Sequence, residues 1–266
     1  MARNRTGILE LDEMLRGGFM DKDAVMIAGS AGTGKTTLAL EYLVNGATKF
    51  GEPGIYLTFE QLPDQIYRDA ENFGWDLRKL EDENKLRVVC TSPDLLLDPE
   101  GEEQLLGETI KELQPRRMVI DSLNHLEMYV PRGDLRKEAY RILMYIKTRG
   151  MSPLIVWEAQ QEVDSSYSVT QTGMSFLIDC LVLLKFVEID SSIKKALAIM
   201  KMRGSDHDKR LREYEITAHG LRVVAPFSGY EGIITGTPHR SLTQEVAGAW
   251  DDAFTRTKHK QQGMQV

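Results

Sequence analysis

Hydrophobic positions along this chain change their spacing at regular intervals. Short continuous apolar runs at 24–28, 55–59, 86–90, 118–120 and 153–157 alternate with segments whose apolar residues recur at helical spacing. Short unbroken runs suit strands buried on both faces, and helical spacing suits amphipathic helices. The first helical stretch is 6–18, where Ile8, Leu11 and Leu15 share a face and Gly17-Gly18 close it. The next follows residue 37 through Leu38, Leu40 and Leu43. Another runs from Pro63 to Phe73 and ends at Gly74, and a fourth covers about 102–113. The last covers about 134–149, with Leu135, Ala139, Ile142, Leu143 and Ile146 on one face. Residues 92–101, with Pro93 and Pro99 among acids, read as a surface loop. This alternation predicts an α/β fold with a central, mainly parallel sheet flanked by helices.

Beyond residue 179 the pattern changes. Cys180–Ile189 and Ala196–Met202 read as strands joined around Asp190-Ser191-Ser192, and Arg212–Ile216 and Leu221–Val224 as a second pair around Ala218-His219-Gly220. The expectation is an antiparallel C-terminal extension on the sheet edge. From Ser241, a stripe of Leu242, Val246, Ala249, Trp250 and Ala253 predicts a helix, with Ser241 and Gln244 placed as a capping box. The chain therefore divides into one domain, 1–240, and a helical tail, 241–266.

Composition narrows the classes. Hydrophobic residues make up 42% of 266, enough for a substantial core. No apolar run approaches membrane-spanning length, and no apolar stretch follows the first arginines, so neither a membrane span nor a secretory leader is expected. Cys90 and Cys180 lie in apolar strand-like runs and read as buried thiols in a reducing, cytoplasmic setting. The net charge of −7 weighs against sequence-independent binding to a nucleic-acid backbone.

The most informative stretch is Gly29-Ser30-Ala31-Gly32-Thr33-Gly34-Lys35-Thr36-Thr37. It fits the phosphate-loop pattern G-x-x-x-x-G-K-[ST], with an apolar strand before it and a helix after it, the context this motif requires. Gly32, Thr33 and Gly34 let backbone N–H groups wrap a phosphate, helped by the positive end of the following helix. Lys35 suits the β- and γ-phosphates, and the Thr36 hydroxyl suits Mg²⁺, with Thr37 beside it. Asp121, at the end of an apolar strand, fits the second phosphate-site acid, and Glu60 ends another strand. In a parallel sheet the carboxyl ends of strands face the ligand crevice, so these groups should converge. Glu60 there suits orienting and deprotonating an attacking water. Lys201 and Arg203, two residues apart on one strand, point the same way and suit neutralising a γ-phosphate, including that of a neighbouring subunit.

These segments together resemble KaiC-type ATPases of the RecA superfamily. The resemblance rests on Thr6-Gly7-Ile8 with Leu11-Asp12 and Gly17-Gly18, the loop 29–37, Phe59-Glu60, Val119-Ile120-Asp121-Ser122-Leu123 and the run from Lys201 to His207, and it extends over about 5–240. The later part is most like the second domain of the two-domain clock members, through Val187-Glu188-Ile189, Leu211-Arg212-Glu213-Tyr214 and 231–238. The resemblance implies a RecA-like P-loop fold, ATP and Mg²⁺ as ligands, and a self-assembled ring, usually a hexamer, with ATP between subunits. One subunit would supply Gly32–Thr37, with Glu60 as the catalytic carboxylate and, with Thr36 and Asp121, as a metal ligand. The next would supply Lys201, Met202, Arg203, Ser205, His207 and Lys209. Lys195 lies where relatives carry a basic contact, and Phe73 where a tryptophan lies near the base.

Three departures stand out. Gln61 replaces the second of two carboxylates found in many relatives, which favours a non-hydrolysing ATP-sensing scaffold as the alternative. Glu158 stands where relatives carry an uncharged polar residue that senses the γ-phosphate. The stretch where the clock domain is autophosphorylated keeps Ser175 but has Phe176 second, leaving Ser175, Thr170 and Thr172 as acceptor hydroxyls for a serine/threonine autokinase. A RecA-like DNA-binding recombination mediator is a further alternative, weakened by the acidic charge. A protein partner is expected from a switch function, without a sequence feature that names it.

Overall fold

The computed structural model describes residues 2–131, 134–159, 174–234 and 239–240. The predicted tail helix at 241–266 lies outside the described residues. A short strand pair, β1 (Arg3–Asn4) with β2 (Phe19–Met20), brackets helix α1 (Leu9–Met14). Within it the Asp12 carboxylate accepts from the Thr6 N–H, the Thr6 hydroxyl and the Gly7 N–H, which ties down the turn before the helix.

The centre is a sheet of nine strands. They are β3 (Val25–Gly29), β4 (Gly54–Thr58), β5 (Leu86–Cys90), β6 (Arg117–Asp121), β7 (Ser152–Glu158), β8 (Cys180–Ile189), β9 (Ser192–Met202), β10 (Arg212–Thr217) and β11 (Gly220–Pro226). Their spatial order is β11-β10-β9-β8-β3-β7-β6-β4-β5. The run from β5 to β8 is parallel, and β9, β10 and β11 join antiparallel, so the predicted RecA-like architecture and its antiparallel extension are both present. Asp190 and Ser191, both at positive φ, make the two-residue turn between β8 and β9. A last pair, β12 (Tyr230–Glu231) with β13 (His239–Arg240), follows the sheet.

Helices cover both faces. On one, α2 (Lys35–Asn45) packs Leu38, Tyr42 and Leu43 against Val25, Ile27, Val119, Val156 and Val182. Helices α3 (Pro63–Glu71) and α4 (Leu77–Asp82) join this layer through Ile66, Ala70 and Leu80. On the other face, α6 (Pro99–Leu113) and α7 (Leu135–Thr148) set Leu106, Leu113, Ile142 and Ile146 against Met26, Ile55, Met118 and Ile155. Two sequence expectations are corrected here. Residues 92–101 are not a loop: they hold α5 (Pro93–Leu97) and the start of α6, because each proline occupies the first turn behind a capping side chain, Ser92 and Asp98. Cys90 is exposed, since β5 is the outermost strand, while Cys180 is buried as expected.

The packing of α2 against β11 contains one unusual group. The buried Glu41 carboxylate accepts the Leu221 N–H at 2.7 Å, and burial pushes its pKa up to about 7. The native state therefore binds a proton that the unfolded chain, near 4.5, releases earlier. Stability from this group is full below about pH 4.5 and is lost as pH rises through 7. Asp23, raised to about 6 by burial and by Asp179, acts in the same sense. Unfolding free energies measured from pH 5 to 8 should fall for the wild type and fall less for Glu41→Gln, by about 1–3 kcal/mol over that range. Parallel pH profiles for the two proteins would show that Glu41 carries no such linkage.

Candidate nucleotide site

The phosphate loop joins the end of β3 to the start of α2. Gly32 and Gly34 have φ of 78° and 91°, a region that favours glycine. Gly34 also lies so close to Ile216 that a Cβ there would meet its Cδ1 at 2.4 Å, and a Cβ at Gly29 would meet the Leu184 carbonyl oxygen at 2.4 Å. The loop is thus pressed from below by β8 and from the side by β10. The Tyr214 hydroxyl adds a hydrogen bond to the Thr33 carbonyl at 2.5 Å. Lys35 is almost fully buried and donates to the Ser30 carbonyl at 2.8 Å. Burial lowers its pKa, against the opposing fields of Glu158 and Asp121.

Strand alternation explains which acids face the loop. In β6, Val119 packs against α2, so Asp121, two residues on, points to the same side. The Thr36 hydroxyl donates to Asp121 Oδ2 at 2.7 Å, and the Tyr56 hydroxyl donates to the same oxygen at 2.6 Å. Burial and the Asp121 charge hold the Tyr56 phenol well above its usual pKa, so it stays a donor. In β7, Val156 faces α2 and Glu158 follows it, in register with Gly29. Its backbone is held by Asn124, whose side chain accepts the Glu158 N–H at 2.6 Å and donates to the Glu158 carbonyl at 3.1 Å. Glu158 is therefore a second acid on the Lys35 side of the sheet. Glu60 follows β4; its carboxylate is largely exposed and lies 3.7 Å from His125 Nε2. His125 is fixed in turn by Ser122, with Nδ1 at 3.2 Å from its hydroxyl and 3.1 Å from its carbonyl oxygen.

The second cluster lies elsewhere. Register places Val25 beside Cys180 and Cys180 beside Met202, whereas Gly29 lies beside Leu184 and Leu184 beside Leu197. The run from Lys201 onward is thus at the opposite end of the sheet from the phosphate loop, roughly 13 Å along the strands. Lys201 and Arg203 do point the same way. Lys201 Nζ donates to the carbonyls of Ser175 at 2.8 Å and Ile178 at 2.6 Å, and Arg203 donates to the Phe176 carbonyl at 3.1 Å and to Asp179 Oδ1 at 3.2 Å. Met202 between them is buried. Ser205 accepts from Arg3 at 2.5 Å, the buried His207 Nδ1 has no hydrogen-bond partner among the described residues, and Lys209 is exposed, 3.8 Å from Asp206.

The predicted basic contact, Lys195, and the predicted aromatic contact, Phe73, come from different parts of the fold. Lys195 sits at the phosphate-loop end, its ammonium 5.7 Å from the centre of the Phe186 ring, which in turn lies against Gly32. Phe73 stacks on Trp75 at 4.8 Å, just beyond α3. Ser175 lies in a 3₁₀ turn, Met174–Phe176, while Thr170 and Thr172 lie outside the described residues. Sequence reasoning missed Tyr56, His125, Asn124 and Tyr214. For Tyr56 a signal existed: two residues before the strand end, it shares the face that Asp121 uses.

The cradle fits a triphosphate and its metal. Glycines stand where a side chain would collide, and Lys35 is the cation beside them. Thr36 and Asp121 form a hard-oxygen pair of the kind Mg²⁺ takes together with phosphate oxygens and water. Among the described residues no group of three His, Cys, Asp or Glu is placed to hold a metal. Sheet, loop and strand-end acid define a RecA-like, P-loop ATP-binding domain. Within that class the chain belongs to the KaiC ATPase family, whose model matches residues 4–228.

Among its relatives are the circadian clock oscillator protein KaiC of Prochlorococcus marinus, 33% identical over 243 residues, and that of Acaryochloris marina, 33% identical over 261. The circadian clock protein KaiC3 of Synechocystis is 31% identical over 253 residues. These alignments cover 91%, 94% and 94% of this chain but 47%, 49% and 50% of the relatives, so the chain spans about half the length of the curated relatives it matches. No helix among the described residues is long and apolar enough to cross a membrane.

Proposed function

We propose that this chain hydrolyses ATP as a homo-oligomeric ring, a hexamer, whose nucleotide state controls a protein partner, with each active site shared between two subunits. The observation that carries the reading is the separation of the two charged clusters. The phosphate loop with Thr36, Asp121 and Glu60 stands at one end of the sheet, and Lys201 with Arg203 at the other. One chain cannot direct both at a single γ-phosphate, whereas a head-to-tail neighbour can.

In this reading Gly32 to Thr37 bind the phosphates through backbone N–H groups, the Lys35 ammonium and the Thr36 and Thr37 hydroxyls. Thr36 and Asp121, with Glu60 nearby, would hold Mg²⁺, which when bound neutralises phosphate charge. Glu60 accepts a proton from the attacking water and orients it, and His125 at 3.7 Å limits where its carboxylate can turn. The neighbour's Lys201, Arg203, Ser205, His207 and Lys209 face the γ-phosphate side, and Lys195 and Phe73 serve as peripheral contacts. In this reading residues 1–240 are the ATPase domain and 241–266 a tail. Two unpaired cysteines suit a reducing compartment such as the cytoplasm. An autokinase activity would use Ser175 as acceptor, the residue whose backbone carbonyl accepts from Lys201.

Light-scattering mass and ATP turnover, measured with and without ATP, test this together. The expected result is an ATP-dependent ring of about six subunits whose turnover is abolished in Glu60→Gln while the ring persists. A wild type that binds ATP but turns it over no faster than Glu60→Gln would instead make the protein an ATP-sensing scaffold, as Gln61 would favour.

A further inference from the structure

Arg203 does not stand alone at its end of the sheet. The Arg203 N–H donates to the Asp179 carbonyl at 2.9 Å, and its guanidinium donates to Asp179 Oδ1 at 3.2 Å. The other oxygen of that carboxylate, Oδ2, accepts from Lys147 Nζ at 2.6 Å and from the Ala24 N–H at 2.9 Å. Asp179 is only 15% exposed, so this two-sided bracket is well shielded, while the Arg203 side chain is 52% exposed and presents its remaining donors outward. The bracket draws on three elements: the start of β8, the last turn of α7 through Lys147, and the residue just before β3 through Ala24.

A long cation that must meet a phosphate across a subunit boundary loses much of its effect if it samples many rotamers, because the ordering cost falls on the transition state. A buried carboxylate anchored at two other points removes that freedom and leaves the outer guanidinium edge available. We infer that Asp179, braced by Lys147, is a positioning residue that presents Arg203 to the ATP of the adjacent subunit. This rests on the shared-site reading above.

The test is steady-state ATP hydrolysis by Asp179→Asn, which keeps an oxygen acceptor for the Ala24 N–H but removes the charge, run beside Arg203→Ala. The expected result is a fall in kcat of about tenfold or more with KM for ATP changed less than about threefold. Assembly and trans complementation supply the second readout. Asp179→Asn chains co-expressed with Lys35→Ala chains should regain activity, because roughly a quarter of head-to-tail interfaces then pair an intact phosphate loop with an intact bracket. Only chains that fold and assemble can be rescued, so misfolding cannot imitate this outcome. Loss of activity in Arg203→Ala with none in Asp179→Asn would overturn the inference. So would an inactive Asp179→Asn that Lys35→Ala chains do not rescue, since Asp179 would then serve its own subunit. Full activity in Arg203→Ala would remove the shared-site reading and the role of Asp179 with it.

Discussion

Replacing Arg203 by alanine is expected to lower ATP turnover roughly 10³-fold, at the lower end of what an arginine supplied in trans contributes in related nucleotide hydrolases. The chain itself supports an effect of that size. Arg203 stands at the sheet end opposite the phosphate loop, half-exposed, with its guanidinium oriented by Asp179 and the Phe176 carbonyl. Asp179 keeps Lys147 and the Ala24 N–H as partners when the half-exposed Arg203 side chain is removed, so the variant should melt within a few degrees of the wild type. Arg203→Lys should recover little, because a single ammonium cannot keep the two separate anchors and still meet a phosphate with a planar edge. Single-turnover rates with radiolabelled ATP, read beside a thermal melt, separate this chemistry from folding. A variant that turns over ATP within a few-fold of wild type would exclude Arg203 from the reacting centre.

The largest effect on stability is expected at Arg117. Its side chain is fully buried in the layer between β6 and α2, a rare position for a guanidinium. It is held by the Glu52 carboxylate, with Nε to Oε2 at 2.7 Å, by the Tyr42 carbonyl at 2.6 Å and by the Arg5 carbonyl at 2.9 Å, and it stacks over the Tyr42 ring at 4.3 Å. One residue thus joins the N-terminal segment, the end of α2 and the turn before β4. Gly46 makes the space, since a Cβ there would lie 2.7 Å from the Arg117 side chain. Arg117→Met fills similar volume but takes the guanidinium away from the Glu52 carboxylate and from the Tyr42 and Arg5 carbonyls, for an expected loss of about 3–5 kcal/mol. In a domain of this size that lowers the melting temperature by roughly 10 °C. Arg117→Lys should recover only part of it, because an ammonium cannot span the three acceptors as the fork does. A melt shifted by less than a few degrees in Arg117→Met would show that the bracket contributes little net stability.

The parts of this protein legible in its sequence are those governed by local pattern. Unbroken apolar runs identified β3 to β7, and the loop 29–37 announced itself by spacing and flanks. Asp121 stands out in the sequence because a carboxylate ending a buried strand is conspicuous. Pattern failed where the deciding partner is distant or positional. Residues 92–101 looked like a loop because proline normally breaks helices, but Pro93 and Pro99 sit behind Ser92 and Asp98, where proline starts them. Cys90 looked buried because a single strand does not reveal that it is the sheet's edge. The Tyr214 bond to Thr33 and the Asp179 bracket on Arg203 join segments far apart in the chain, and no periodicity announces such pairs. Arg117 shows the same limit: a charged residue opening an apolar strand gives no sign that Glu52, Tyr42 and Arg5 converge on it.

The shared site is the central claim, and mixing two inactive variants tests it most directly. Lys35→Ala removes the phosphate-loop cation and leaves the Arg203 end intact; Arg203→Ala does the reverse. Each should be nearly inactive alone. Co-expressed in equal amounts and purified as mixed rings, they should recover roughly a quarter of wild-type turnover, because that fraction of interfaces joins an intact loop to an intact arginine. Mixed rings no more active than either parent would mean that loop and arginine serve the same subunit or different tasks, and the shared-site mechanism would be wrong.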